Sequence, residues 1–349
     1  MPALTDNIST ILVTGANGYI ASWIVGLLLK KGYTVRAAVR NESRGQQLAD
    51  TYHTYGRQLQ LFPVGDMQNE GVWDEAVKGV HGIIHTATQV DLNAIEPRDI
   101  IEPSVNGALN LLHSALKYGS SLKRVIHTSS CAAIMSTLNV LNSTIPTAVT
   151  ASEADWNEET VRECEEKGRD ASGLVKYAAS KTLSEKAVWK FYEEHKAQIT
   201  WDLTVLNPPW VFGPNAHKVT RAEELNASNK FWFEVIVNGR VFGESTLTSP
   251  GHGWVDVRDV AEAHVRALEI PEAGGERIIT CASSPFVWQD FMDVANSLSP
   301  PPYHTLAKGN PGGETFRAVT FASDKASTIL GIQFRTIQET TRDILKDLE

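Results

Sequence analysis

The chain has 349 residues, 42% of them hydrophobic, with 41 acidic against 32 basic side chains and a formal charge of -9. An acidic chain without a block of Lys or Arg points away from nucleic acid or an anionic membrane as the main partner and toward a small molecule. MPALTDNIST lacks a secretory pattern, the apolar run IASWIVGLLL at 20–29 is about half a membrane span, and Cys131, Cys164 and Cys281 follow no CxxC spacing. A cytoplasmic, reduced protein without disulfides, zinc or any other metal site is expected.

The first half alternates β-branched runs with helix-length segments: ILVTG at 11–15, YTVRAAV at 33–39, LQLFPV at 59–64, GIIHTA at 82–87, RVIHTS at 124–129 and WDLTVLNP at 201–208. That alternation predicts an α/β fold, a doubly wound parallel sheet of at least six strands. Residues 1–208 are expected to form the dinucleotide-binding domain, with return segments from the second half, and 209–349 mainly a smaller substrate lobe holding DVRDVAEAHVRALE and the late strand RIITCA. The acidic stretch 152–170 reads as a solvated insertion.

TGANGYIA at 14–21 follows the first strand and opens a helix. Gly15 and Gly18 stand where the backbone must turn and approach a diphosphate, with Asn17, Tyr19 and Ile20 beside them and Ala21 in place of the third glycine. After the second strand, Arg40 replaces the acid that would accept from a ribose hydroxyl, and Arg44 lies about one helical turn on, so a 2'-phosphate and hence NADPH are predicted. Asp66 and Met67 end the third strand where an adenine would lie, although Asp66 equally suits a cap for a helix beginning near Asn69. Thr86, Ala87 and Thr88 end the fourth strand with small side chains, as a cofactor crossing the sheet edge requires.

Two copies of the same spacing then compete. YAASK at 177–181 and YEEHK at 192–196 each place a lysine one helical turn after a tyrosine, and a phenol of pKa about 10 needs a neighbouring positive charge to act near neutrality. Tyr177 begins its helix close to Ser129 and Ser130 at the carboxyl edge of the sheet. Tyr192 lies about 20 Å further along by helix rise. Ala178, Ala179 and Ser180 leave room for a cofactor, whereas Glu193, Glu194 and His195 crowd it, so YEEHK reads as a solvated helix end.

TGANGYIAS, IIHTAT, SVNG, RVIHTSS, YAASK, NPPWVFGP and DVRDVAEAH together resemble the extended short-chain dehydrogenase/reductase family. The similarity is to its group of dihydroflavonol reductases, cinnamoyl-CoA reductases and yeast and fungal aldehyde, ketone and methylglyoxal reductases, and it spans nearly the whole chain. It implies that Ser130 orients a substrate carbonyl, Tyr177 protonates its oxygen, and Lys181 holds the nicotinamide ribose and lowers the phenol pKa. It further implies Pro208 against the cofactor, transfer of the 4-pro-S hydride, and a possible proton-relay role for Asn106, which equally suits a structural helix position.

Ser130 is preferred to Ser129 as the second serine of the pair, alternation sending Ser129 to the other face. Gln89, Val90, Ala132, Ala133, Pro209, Trp210, Phe231 and Trp232 are candidates for an apolar substrate pocket, Trp232 being equally suited to the core. The resulting expectation is an NADPH-dependent carbonyl reductase acting on a medium-sized hydrophobic or aromatic aldehyde or ketone, monomeric or homodimeric. The alternatives are an NAD-retaining sugar-nucleotide epimerase or dehydratase, opposed by Arg40 and the apolar PPWVFG, and a dinucleotide-sensing protein, which would typically lack the Tyr and Lys.

Overall fold

A computed structural model of the chain describes residues 3–4, 8–88, 91–135, 148–219, 221, 224–240, 253–299, 306–313, 317 and 319–347. The strands are β1 (Thr10–Thr14), β2 (Thr34–Val39), β3 (Leu59–Pro63), β4 (Gly82–His85), β5 (Arg124–Thr128), β6 (Val149–Ala151), β7 (Asp202–Asn207), β8 (Trp210–Phe212), β9 (Trp254–Asp256), β10 (Arg277–Ile279) and β11 (Val319–Phe321). The helices are α1 (Tyr19–Lys30), α2 (Glu42–Thr51), α3 (Arg98–Tyr118), α4 (Glu158–Lys167), α5 (Gly173–His195), α6 (Ala227–Ile236), α7 (Val257–Glu269), α8 (Trp288–Ser297), α9 (Asp324–Thr328) and α10 (Ile337–Asp347).

Seven strands form one parallel sheet in the order β10-β7-β5-β4-β1-β2-β3. The chain winds outward from β1 to β3, then returns to the other side of β1 for β4. Ligands of such sheets bind at the carboxyl edge where the order reverses. Central strands β4, β5 and β7 are buried throughout, because helices cover both faces. On one face α1 and α7 pack Ile24, Leu28, Val265 and Leu268 against Ile11 and Ile84; on the other, α3 and α5 bring Leu111, Val188 and Phe191 onto Val125 and Leu203.

Two C-terminal segments belong to this sandwich rather than to a separate lobe. α7, which is DVRDVAEAHVRALE without its first residue, covers the sheet, and β10 extends it beyond β7. β8, β9, α6, α8 and α10 gather around an aromatic cluster of Phe212, Trp232, Trp254, Phe286, Trp288 and Phe291, with ring centroids 5.3–6.2 Å apart in mostly edge-to-face pairs, while β11 pairs with β6 and α9 packs on β10. Trp232 is fully buried there.

The acidic stretch 152–170 is not a solvated insertion. Asn157 caps α4, whose Val161 and Cys164 are buried against Val175 and Ala179 of α5. Arg277 stacks on the Trp156 ring at 3.8 Å and donates to the carbonyls of Glu153 at 2.8 Å and Asp155 at 2.5 Å. Nor is there a helix beginning near Asn69: residues 69–79 form successive turns around buried Trp73. Cys131, Cys164 and Cys281 are free and buried. Among the described residues no helix is long and apolar enough to cross a membrane, and no cluster of His, Cys, Asp and Glu could hold a metal ion.

Candidate active site

A cavity of about 550 Å³ runs along the carboxyl edge of the sheet, from Gly15 and Gly18 at one end past Ser130 and Tyr177 to Trp210 and Phe321 at the other. Gly15 has φ +61°, and a Cβ there would stand 3.1 Å from the Ala87 backbone. Any other residue would meet both a conformational and a steric barrier. Gly18 is the N-cap of α1 and carries no side-chain cap, so the first-turn amides remain available to an anion.

Ile20 lines the cavity, whereas Asn17 is exposed and does not. Tyr19 also lines it, but its hydroxyl is committed elsewhere, donating to the Gly213 carbonyl at 2.7 Å, as the Trp23 indole does to Pro214 at 2.9 Å. These two bonds latch α1 to the segment after β8.

Thr86, Ala87 and Thr88 all border the cavity. The Thr86 hydroxyl donates back to the Thr14 carbonyl at 2.5 Å and so joins β4 to β1, while Ala87 packs against Gly15. Arg40, Arg44, Asp66 and Met67, which follow β2 and β3, do not line the cavity. Arg40 and Arg44 are exposed, and among the described residues neither guanidinium has an ion-pair or hydrogen-bond partner. Arg40 precedes α2 rather than lying in it. Arg44 occupies its first turn, where the Asn41 side chain accepts from its backbone N–H at 3.1 Å.

The Asp66 carboxylate accepts from Gln68 N at 3.0 Å, which makes it a turn former, and the Met67 side chain lies against Gly107 of α3.

The centre of the cavity joins β5, β7 and α5. Ser172 caps α5, placing Tyr177 in its second turn near Ser130, whose Oγ donates to the Pro208 carbonyl at 3.4 Å and accepts from Ala132 N at 3.1 Å. Loss of water raises the phenol pKa and the neighbouring Ser130 side chain pulls it back in part. Burial likewise brings the Lys181 ammonium down from 10.5 to about 8, against the upward pull of Glu185, and its Nζ donates to the Thr128 carbonyl at 3.4 Å. Lys181 is not among the groups that shift the phenol here, its ammonium donating to Thr128.

The sheet's alternation separates the two serines. Ser129 Oγ donates to Glu185 at 2.5 Å, away from Tyr177. Glu185 also accepts from Asn207 at 2.8 Å and from Arg277 Nε at 2.5 Å, and Asn207 in turn donates to the Ser130 carbonyl at 3.1 Å. Beneath Lys181, burial and the lysine's charge push His85 down to about 3.

On the far side, Ala132, Pro208, Pro209 and Trp210 line the cavity. Phe231 does not; it stacks behind Trp210 with centroids 5.5 Å apart and planes 17° apart. Ala133 is buried behind Ala132, and Asn106 is exposed on α3, outside the cavity. Gln89 and Val90 lie outside the described residues.

Residues 11–282 match the model of the NAD dependent epimerase/dehydratase family. The chain belongs to that family. Within it the chain is 31% identical to the NADPH-dependent methylglyoxal reductase of Saccharomyces cerevisiae over 345 residues, 96% of each chain. It is 35% identical to a cinnamoyl-CoA reductase of Medicago truncatula over 278 residues, 78% of this chain and 76% of that one. The crystal structure of yeast methylglyoxal/isovaleraldehyde reductase complexed with NADPH superposes with a TM-score of 0.83 at 29% identity, covering 97% of this chain and 98% of the other.

Several cavity residues of this family member escape sequence reasoning. Met135 and Phe321 come from distant segments with no local signal, and Leu92 and Leu174 look like ordinary surface leucines. Glu185 did carry a signal: it follows Lys181 by four residues on one helix face.

Proposed function

We propose that this chain reduces an aldehyde or ketone to an alcohol at the expense of NADPH. The observation that carries the reading is that Ser130, Tyr177 and, one helical turn on, buried Lys181 border the same cavity. The nicotinamide, when bound, supplies the hydride to the carbonyl carbon. Tyr177 gives its phenolic proton to the carbonyl oxygen, which Ser130 holds by a second hydrogen bond and so orients for both transfers. Lys181 would hold the cofactor's ribose. The residues fit a dinucleotide: the uncapped start of α1 suits the diphosphate, and Arg40 and Arg44, without partners among the described residues, suit a 2'-phosphate.

Apolar lining by Ala132, Pro209 and Trp210 favours a hydrophobic or aromatic carbonyl compound, which accords with the cinnamoyl-CoA reductase relative. The test follows NADPH consumption with aryl ketones, ketoesters, aliphatic aldehydes and dihydroflavonols. Turnover of apolar carbonyls, with NADPH preferred to NADH, is the expected result. Purified protein carrying tightly retained NAD and inert toward every carbonyl would favour the epimerase chemistry of other family members.

A further inference from the structure

Lys176 has no part in that mechanism, yet it is only 3% exposed and immediately precedes Tyr177. A buried ammonium ordinarily pairs with a carboxylate. Here Nζ donates instead to three backbone carbonyls, of Ile95 at 2.8 Å, Arg169 at 2.9 Å and Ala94 at 3.1 Å, which uses all three of its donors. Two of those carbonyls belong to the segment after β4. A lysine on α5 therefore fastens that segment to the helix that carries Tyr177.

Two further contacts hold the same segment. A Cβ on Gly173 would fall 2.0 Å from the Leu92 carbonyl oxygen, so the segment rests on the helix only because residue 173 has no side chain. Arg169 also pairs with Glu96 at 2.8 Å. The result is that Leu92 and Leu174 both border the cavity, at its mouth, 42% and 44% exposed. Exposed leucines are common singly, but two that border the same cavity, on segments clamped together, form a surface a ligand can cover.

We propose that Leu92 and Leu174 form an apolar lip that receives the hydrophobic end of the substrate remote from its carbonyl, and that Lys176 is the positioning residue that holds this lip at a fixed distance from Tyr177. The proposal rests on the carbonyl-reductase reading and extends it to a substrate class: a carbonyl compound with an apolar tail long enough to reach the mouth. Binding of the tail removes both leucines from water and strengthens with the area covered. Lys176 lies outside the cavity lining and acts only through the segment it fastens.

The test compares two probes with NADPH, propanal, which has no tail, and 4-phenylbutan-2-one, which ends in an aryl group. In Leu92→Ser and Leu174→Ser the ratio of kcat/KM for the aryl ketone to that for propanal should fall about tenfold, equivalent to ~1.4 kcal/mol, mainly through KM of the ketone. Lys176→Met leaves three carbonyls without their donor and should lower the same ratio. Gly173→Ala pushes a Cβ against the Leu92 carbonyl and should do likewise, so it decides the matter if Lys176→Met does not fold. An unchanged ratio, or an equal loss on both probes in folded variants, overturns the lip. A wild-type protein that reduces neither probe nor any other carbonyl overturns the underlying reading instead.

Discussion

The two ends of α5 carry the same words in the sequence and different chemistry in the fold. Tyr177 and Lys181 stand at the carboxyl edge of the sheet, where Lys181 is 6% exposed and Tyr177 borders the cavity with Ser130. Tyr192 and Lys196 close the helix. Tyr192 rests between Trp189 and Trp201, each with its centroid 6.2 Å away, and Lys196 is an exposed partner of Glu193. Spacing supplies only adjacency. A phenol becomes a usable acid when its site excludes water, supplies a hydrogen-bond partner and admits a substrate, and only the first copy borders the cavity.

The strongest way to break this contrast is Tyr177→Phe. It removes the proton donor while leaving the ring that fills the cavity wall, so kcat should drop by about 100-fold or more, the range usual for a general acid. NADPH binding, followed by fluorescence titration, should persist. A folded Tyr177→Phe protein with near wild-type kcat would return both tyrosines to equal standing.

Next in size is the effect at the other end of the cofactor. The Arg40 guanidinium has no partner among the described residues, so none of them competes for it. A hydrogen bond from a charged group contributes about 1.5–3 kcal/mol, so Arg40→Ala should weaken NADPH about 10- to 100-fold and leave NADH nearly unchanged. Arg44→Ala should do less, since its side chain leaves from the first turn of α2 and water can replace it. Titration of both cofactors against the three proteins checks this, and an Arg40→Ala protein of unchanged selectivity would reduce Arg40 to a surface charge.

The fold was legible because periodicity is a local property: every strand of the sheet, β10 included, lies in a run that can be read by eye. Side-chain partnerships are not local. Tyr19 sits in the diphosphate motif, but its hydroxyl is taken by Gly213, which is 194 positions away. Asn106 matches a relay position by spacing, and only the rotation of α3 shows that it faces solvent. Phe231 and Trp210 are both aromatic, but packing alone decides that Trp210 faces the cavity and Phe231 backs it. The acidic stretch 152–170 misled because its composition is polar overall, although its apolar positions share one face of α4 and dock on α5.

The two lysines differ in a direction that pH can read. Burial lowers Lys181 to about 8, whereas Glu193 raises Lys196 above its ordinary value. The groups that act on Lys181 are Glu185, His85 and His127; His85 and His127 are both held well below their ordinary pKa by burial, so near pH 8 they stay neutral and the lysine's own titration dominates. Lys181 is charged below pH 8 and loses its charge as pH rises through that value. If the ammonium holds the ribose, kcat/KM for NADPH should fall on the alkaline side with a midpoint near 8, by about tenfold per pH unit beyond it. A profile flat to pH 10 would mean that the charge of Lys181 is not used.

The smallest effect is the one that makes the contrast quantitative. The Tyr192 hydroxyl has no hydrogen-bond partner among the described residues, so Tyr192→Phe removes an oxygen that neither reacts nor bonds and keeps the ring on Trp201 and Trp189. Stability should change by no more than about 0.5 kcal/mol, as for a substitution away from any special feature, and kcat should stay within about twofold. Tyr192→Ala should cost more, because it empties a half-buried site beside two tryptophans and large-to-small changes of this kind destabilise by about 2–5 kcal/mol when fully buried; its remaining folded fraction should nevertheless turn over at the wild-type rate. Thermal melts and kcat measured on the same samples separate the two quantities. A loss of kcat in Tyr192→Phe without a shift in melting would show that the far end of α5 reaches the chemistry after all, and that burial and partners are not what distinguish the two copies.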